Sequence, residues 1–231
     1  MKAVRILVLG ILAGLLHAEE AGPLQSVKPG INEAFLDSNL DVSEWLKRFE
    51  VESREVFEAR DAIADACGVR PGMVVADIGA GTGLYTRIFS EKVNPGGWVV
   101  AVEINPPFLK HIQARAKEEG QHNITTVLCP EDSVSLPPRS VDVAFICDTY
   151  HHFEYPQPVL ASILGTLKSG GRLVVVDFIR EEGRSSDWVM EHVRAGEGTV
   201  RKEIEAAGFD FVSKPEVEGL SQNYLLVFRK P

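Results

Sequence analysis

The stretch VVADIGAGTGLYT, residues 74–86, reads as a buried strand that runs into a glycine turn and then a helix. Glycines at 79, 81 and 83 let the backbone approach a ligand closely, with no Cβ in the way. Their GxGxG spacing differs from the GxGxxG of a dinucleotide fingerprint, which would need glycine where Leu84 stands. The pattern therefore leans away from a pyrophosphate. Asp77, just before the turn, adds a carboxylate that suits a cationic or hydroxyl-bearing group better than a phosphate.

Outward from this turn, short apolar segments alternate with helical ones. Strands are read at 73–78, 98–103, 124–128, 141–147, 172–178, 209–217 and 223–229, and helices at 84–92, 107–119, 158–167 and 199–207. Gly, Pro and Asn clusters at 94–97, 137–138 and 169–171 punctuate them. The alternation predicts a mainly parallel sheet covered by helices on both faces, with ligands held beyond the carboxyl ends of the strands. Glu103 closes the second strand, twenty residues after Gly83. A carboxylate there can accept hydrogen bonds from both hydroxyls of a ribose, a role shared by NAD and other adenosine cofactors.

The segments DIGAGTG (77–83), WVVAVEI (98–104), CPEDSVSLPPRSVDVAFICDTYHHF (129–153) and LKSGGRLVVVDF (167–178), in this order, resemble a class I S-adenosylmethionine-dependent methyltransferase. The likeness is to the small-molecule type that includes the ubiquinone and menaquinone methylases, and it runs from about residue 54 to residue 228. It implies a Rossmann-like seven-stranded α/β sheet of order 3-2-1-4-5-7-6, with strand 7 antiparallel, and S-adenosylmethionine as cofactor. Carried onto this chain, the resemblance sets Gly79, Gly81 and Gly83 against the methionine and ribose part, Asp77 near the amino group and Glu103 on the ribose hydroxyls. Asp132 would accept from the adenine amino group and the Ser133 backbone would reach a ring nitrogen, with Glu131 the less favoured adenine ligand. Asp148 would face the methionine end and the methyl acceptor.

Methyl transfer from a sulfonium is an in-line displacement, so the enzyme's tasks are to align the acceptor and to exclude water. A base is needed only where the nucleophile must lose a proton. Tyr150, His151 and His152 follow the fourth strand, where such enzymes line the acceptor pocket, and they are the catalytic candidates. Two adjacent His residues on an extended segment cannot face one way, which predicts one ring on the substrate and one in packing. Tyr85 is read either as a neighbour of the sulfonium through cation–π attraction or as a packed helix residue. Tyr155, His192 and Arg194 are weaker pocket candidates. No metal is indicated, since Asp148 and Asp177 alone make a thin carboxylate cluster. A small-molecule acceptor is the expected partner. Two other readings stand beside this one: a non-catalytic module that binds the cofactor, and a nicotinamide-dependent oxidoreductase, which Leu84 disfavours.

With 231 residues and 45% hydrophobic content the chain has the material for one well-cored domain. Net charge is −9, and because residues 1–18 carry Lys2 and Arg5 but no acid, the rest holds 22 bases against 33 acids, or −11. That opposes nucleic acid as a partner. Basic Lys2 and Arg5, an apolar run at 6–16 and small or neutral residues ending at Ala18 have the form of a secretory signal. The run is too short to span a bilayer comfortably, so no stable membrane insertion is expected after cleavage. A periplasmic or secreted protein follows, or a cytoplasmic one if the segment does not act as a signal. Residues 19–30 read as a mobile linker and 31–67 as an N-terminal helical cap, part of a methyltransferase domain over 31–231, with Trp45, Phe49, Val56 and Ile63 on one stripe. Cys67, Cys129 and Cys147 form no ligand cluster and are read as free thiols.

Overall fold

The computed structural model describes residues 24–52 and 54–231, so the signal-like segment 1–18 lies outside the described residues. Seven strands form one sheet of order β3-β2-β1-β4-β5-β7-β6. They are β1 (Val74–Ile78), β2 (Trp98–Glu103), β3 (Ile124–Leu128), β4 (Val141–Cys147), β5 (Leu167–Phe178), β6 (Asp210–Ser213) and β7 (Asn223–Arg229). The pairs β1–β2, β1–β4, β2–β3 and β4–β5 are parallel, whereas β7 runs antiparallel to both β5 and β6.

The central strands are apolar at nearly every position because both of their faces are covered. Successive side chains point to opposite faces. Ala144, Ile146, Leu173, Val175, Leu226 and Phe228 belong to one core layer. Their immediate neighbours Val143, Phe145, Val174, Val176, Leu225 and Val227 belong to the other. The first layer takes in residues of α6 (Pro156–Thr166) and α8 (Glu197–Ala206), the second those of α3 (Arg60–Ala66) and α4 (Leu84–Lys92). Helix α5 (Pro106–Glu118) packs on β2 and β3. The chain builds outward from β1 to β3, then returns to lay β4 on the other side of β1. The crevice of the sheet therefore opens at the carboxyl ends of β1 and β4.

The N-terminal cap is more broken than its apolar stripe suggests. It comprises a 3₁₀ turn at Glu33–Phe35, α1 (Val42–Phe49), the single turn α2 (Glu55–Glu58), and α3. The reading of residues 19–30 as a mobile linker is corrected over its described part. Ser26 Oγ donates to Glu154 Oε2 at 2.6 Å, Val27 N to the Glu154 carbonyl at 2.9 Å and Gly30 N to Glu154 Oε1 at 3.0 Å. One buried carboxylate thus ties the segment across the domain. The stretch 181–198 contains a helix that its polar sequence hides, α7 (Asp187–His192), capped by Ser186, whose hydroxyl accepts from Val189 N. Strand β6 is shorter than read, ending at Ser213. All three cysteines are free thiols. No helix among the described residues is long and apolar enough to cross a membrane.

Gly83 illustrates how the fold fixes the glycine turn. It caps α4 with φ +80°, and a Cβ built there would stand 2.7 Å from Ile112 Cγ1 on α5. Left-handed strain and overpacking act together, so Gly83→Ala should cost on the order of 1–3 kcal/mol or more. Urea denaturation checks this, and an unchanged midpoint would contradict it.

Candidate functional site

A cavity of about 690 Å³ opens at the carboxyl ends of β1, β2, β4 and β5, roofed by the N-terminal segment, α1 and α7. Its walls draw on the glycine turn, Asp77, Glu103, Cys129 to Glu131, Asp148, the pair His151–His152, and His192. Aromatic rings of Phe35, Trp45, Phe49, Phe178 and Trp188 complete it.

At one end the chain bends through Gly79 (φ +69°) and Gly81 (φ +52°), a left-handed backbone that glycine tolerates best. A Cβ at Gly79 would lie 2.2 Å from Thr149 Cγ2, so the turn and the loop after β4 close on each other only because it is absent. A Cβ at Gly81 would stand 3.6 Å from the Phe49 ring, and both residues are cavity wall. Glu103 is 6% exposed. Its Oε2 accepts from Gly81 N at 2.9 Å, while Oε1 accepts from Ile104 N at 2.7 Å and Asn105 N at 3.2 Å. Burial raises its pKa against the pull of those three donors.

Asp77, buried beside it, accepts from Thr86 Oγ1 at 2.6 Å. Burial pushes its carboxyl up to about 7, with the nearby Glu103 charge adding to the rise and the Thr86 bond opposing it. Asp148 sits at φ +46°, ion-paired with Arg54 and accepting from Asn223 Nδ2 at 2.7 Å. Burial lifts its pKa to about 6 despite the Arg54 guanidinium. Arg54, the residue before α2 in the cap, escaped the sequence reading because nothing local ties it to a loop 94 residues on.

Three of the expected cofactor contacts lie elsewhere. Gly83 is not in the wall, since it backs onto Ile112. Asp132 and Ser133 are also outside the lining, whereas Glu131, the residue read as less favoured, is in it and accepts from Asn32 Nδ2 at 2.8 Å. The chain turns at Glu131–Asp132, which directs the first side chain inward and carries the next two past the cavity; Ser133 Oγ accepts from Ser135 N at 3.2 Å.

At the other end, Tyr150–His152 form a 3₁₀ turn. This is why both His rings reach the cavity, which the extended-segment argument had ruled out. His151 Nδ1 lies 2.7 Å from Asp177 Oδ1, and Asp177 also accepts from the backbone N–H of His151 and Phe178 at 3.0 and 2.8 Å. His152 Nδ1 lies 3.2 Å from Asn32 Oδ1, and its ring meets Phe35 edge-on at 5.1 Å. Burial, aided by the neighbouring His151 and His192, drives the His152 pKa down to about 3. His192 Nε2 is 3.4 Å from His152 Nε2, and the Trp188 indole stacks on His192 at 4.7 Å. Tyr150 is corrected as a catalytic candidate: its ring is fully buried in the core and its hydroxyl donates to Glu203 Oε2 at 2.8 Å, beside Arg194. Tyr85 is packed, its hydroxyl donating to the Val56 carbonyl at 2.6 Å and its ring tilted on Phe145 at 4.7 Å, and it also lines the cavity. Tyr155 and Arg194 do not reach the cavity.

Sheet order, glycine turn and strand-ending carboxylates together define the class I S-adenosylmethionine-dependent methyltransferases. Residues 76–175 match the family model described as "Methyltransferase domain". A ubiquinone/menaquinone biosynthesis C-methyltransferase of Ectopseudomonas mendocina is 38% identical over 112 residues, covering 48% of this chain and 44% of that protein. The chain thus spans about half the length of such relatives. The enzyme of the same name from Stutzerimonas stutzeri is 29% identical over 66% of this chain and 71% of its own length. The crystal structure of a SAM-dependent methyltransferase from Aquifex aeolicus superposes with a TM-score of 0.72 at 24% identity, over 83% of this chain and 99% of its own. The cofactor implied is S-adenosylmethionine, and the Cβ-free turn beside the buried, strand-ending carboxylate of Glu103 fits it.

The Asp77 pKa has a measurable consequence. A carboxyl raised from 3.8 to about 7 binds its proton more tightly in the folded state. Its stability contribution is therefore full below about pH 4 and lost as pH rises through 7. Asp77→Asn removes that loss, worth at most a few kcal/mol. Urea midpoints at pH 4.5 and 7.5 should show the variant gaining on wild type at the higher pH. The comparison isolates Asp77 from the buried imidazoles, which act with opposite sign, and equal pH dependence in the two proteins would contradict it.

Proposed function

We propose that the protein transfers a methyl group from S-adenosylmethionine to a small, largely apolar acceptor. The observation that carries this reading is one continuous cavity with Glu103 and the glycine turn at one end and an aromatic and imidazole wall at the other. Glu103 would take the ribose hydroxyls on the same carboxylate that holds Gly81 N, and Asp77 or Asp148 would face the cofactor's ammonium group. Arg54, paired with Asp148, would meet its carboxylate. Bound there, the cofactor supplies an electrophilic methyl carbon on a sulfonium.

This chain's own contribution is alignment and exclusion of water. Phe35, Trp45, Phe49 and Trp188 offer ring faces on which a flat acceptor can lie. The relatives named for ubiquinone and menaquinone biosynthesis support an aromatic or quinol-like acceptor. His151, fixed by Asp177, would take or hold the proton of a hydroxyl-bearing acceptor at Nε2. Leu84 at the third glycine position of a dinucleotide turn counts against the nicotinamide reading.

The test is release of S-adenosylhomocysteine from methyl-labelled cofactor against a panel of quinols, phenols and thiols. Wild type should turn over at least one of them. Trp45→Ala should raise the acceptor KM by roughly 10-fold or more while leaving cofactor affinity within about twofold. Cofactor binding with no transfer to any acceptor would favour the non-catalytic module instead.

A further inference from the structure

His151, His152 and His192 come from two segments forty residues apart, and one ring nitrogen from each lies within 4.8 Å of the other two. The sequence reading weighed only Asp148 and Asp177 for a metal, whereas the fold brings His192, on α7, to the His pair after β4. Three features make the cluster more than adjacent rings.

The first is geometry. Two imidazole nitrogens bound to one tetrahedral ion at 2.0–2.1 Å sit about 3.3–3.4 Å apart. His152 Nε2 and His192 Nε2 are 3.4 Å apart. The separations in the group, all within 4.8 Å, exceed that edge by at most about 1.5 Å, within reach of side-chain rotation.

The second is orientation. His151 Nδ1 faces the Asp177 carboxylate, whose other bonds come from backbone N–H groups, so in the neutral ring the proton sits on Nδ1 and the lone pair on Nε2. Asn32 Nδ2 donates to Glu131 Oε1 and to the His152 carbonyl, which leaves Asn32 Oδ1 as the acceptor for His152 Nδ1–H. Two rings are therefore held in the tautomer that presents Nε2, each by the carboxylate or carbonyl partner that metal-bound histidines require behind them.

The third is support and access. Trp188 stacks on His192, and Lys28 Nζ donates to the Glu191 and His192 carbonyls at 2.7 and 2.6 Å, fixing the end of α7. A lone His152–His192 hydrogen bond would account for one N–H without engaging His151, whose Nε2, while it holds an ion, does not take the acceptor proton. All three residues line the cavity, so a fourth position at the cluster opens toward it.

We propose that His151, His152 and His192 bind one divalent ion of the zinc type through their imidazole nitrogens, with a coordination position open to the cavity for an oxygen or sulfur of the bound acceptor. The three-imidazole site stands on this geometry alone; the assignment of the open position to an acceptor rests on the methyltransferase reading.

The experiment uses the full chain without a polyhistidine tag, stripped with chelator and titrated with zinc against a chromogenic competitor, then with cobalt as a spectroscopic probe. Wild type should bind one zinc and give the intense visible bands of a cobalt ion in a tetrahedral nitrogen field. His192→Ala should weaken zinc roughly 100-fold or more, and Asp177→Asn about 10- to 100-fold through the ring it orients. His111→Ala, on α5 outside the cavity wall, should change nothing. S-adenosylmethionine binding, measured on each sample by calorimetry, reports both on folding and on the methyltransferase reading. No stoichiometric zinc in wild type, or zinc affinity indifferent to His192→Ala in a variant that still binds cofactor, overturns the site. Zinc bound at these residues in a protein with no cofactor affinity keeps the site and overturns the acceptor role.

Discussion

The bond from Gly81 N to the buried Glu103 carboxylate joins two neighbouring strands at the point where the sheet opens. A carboxylate sunk at a strand end needs donors, and this one takes three from the main chain, one of them supplied by the glycine turn itself. The turn reaches that position only in a left-handed conformation, with Thr149 filling the space where a Cβ at residue 79 would sit. Loop after β1, end of β2 and loop after β4 are thereby locked into one wall. The cofactor end of the cavity follows from that constraint.

The opposite end is held together differently. Its parts come from the 3₁₀ turn after β4, the end of α7 and the strap at residues 26–32, linked by side chains: Asp177 behind His151, Asn32 behind His152, Lys28 over the last carbonyls of α7. Main-chain donors rigidify the first half, and long-range polar pairs and ring stacking shape the second. That division suits a fold whose cofactor half is shared among many enzymes while its acceptor half varies.

The same division explains what could be read from sequence. The strands of both core layers and the glycine turn are local signals, short apolar runs and glycines at set spacing, so the strands and the positions of Asp77, Gly79, Gly81 and Glu103 were legible, whereas the sheet order came with the family resemblance. Direction of side chains within a turn was not. One residue of shift exchanges Glu131 for Asp132 at the cavity wall, and a 3₁₀ turn in place of extended chain brings both His rings inward and buries Tyr150. Arg54 and Asn32 carry no local mark, because each is recruited by a partner 94 or 120 residues away, and His192, read as a weaker pocket candidate, carries no sign of the His152 ring forty residues before it. The helix that delivers His192 is six residues long, which leaves too few positions for a periodic pattern to stand out.

The most direct measurement is calorimetric titration of the protein with S-adenosylmethionine and, separately, with NAD. A cavity built on Glu103 and the glycine turn should bind the sulfonium cofactor with micromolar affinity and NAD weakly or not at all, and Glu103→Gln should weaken the first by about 10-fold or more. Absence of S-adenosylmethionine binding, or equal affinity for the two ligands, would contradict the account at its foundation.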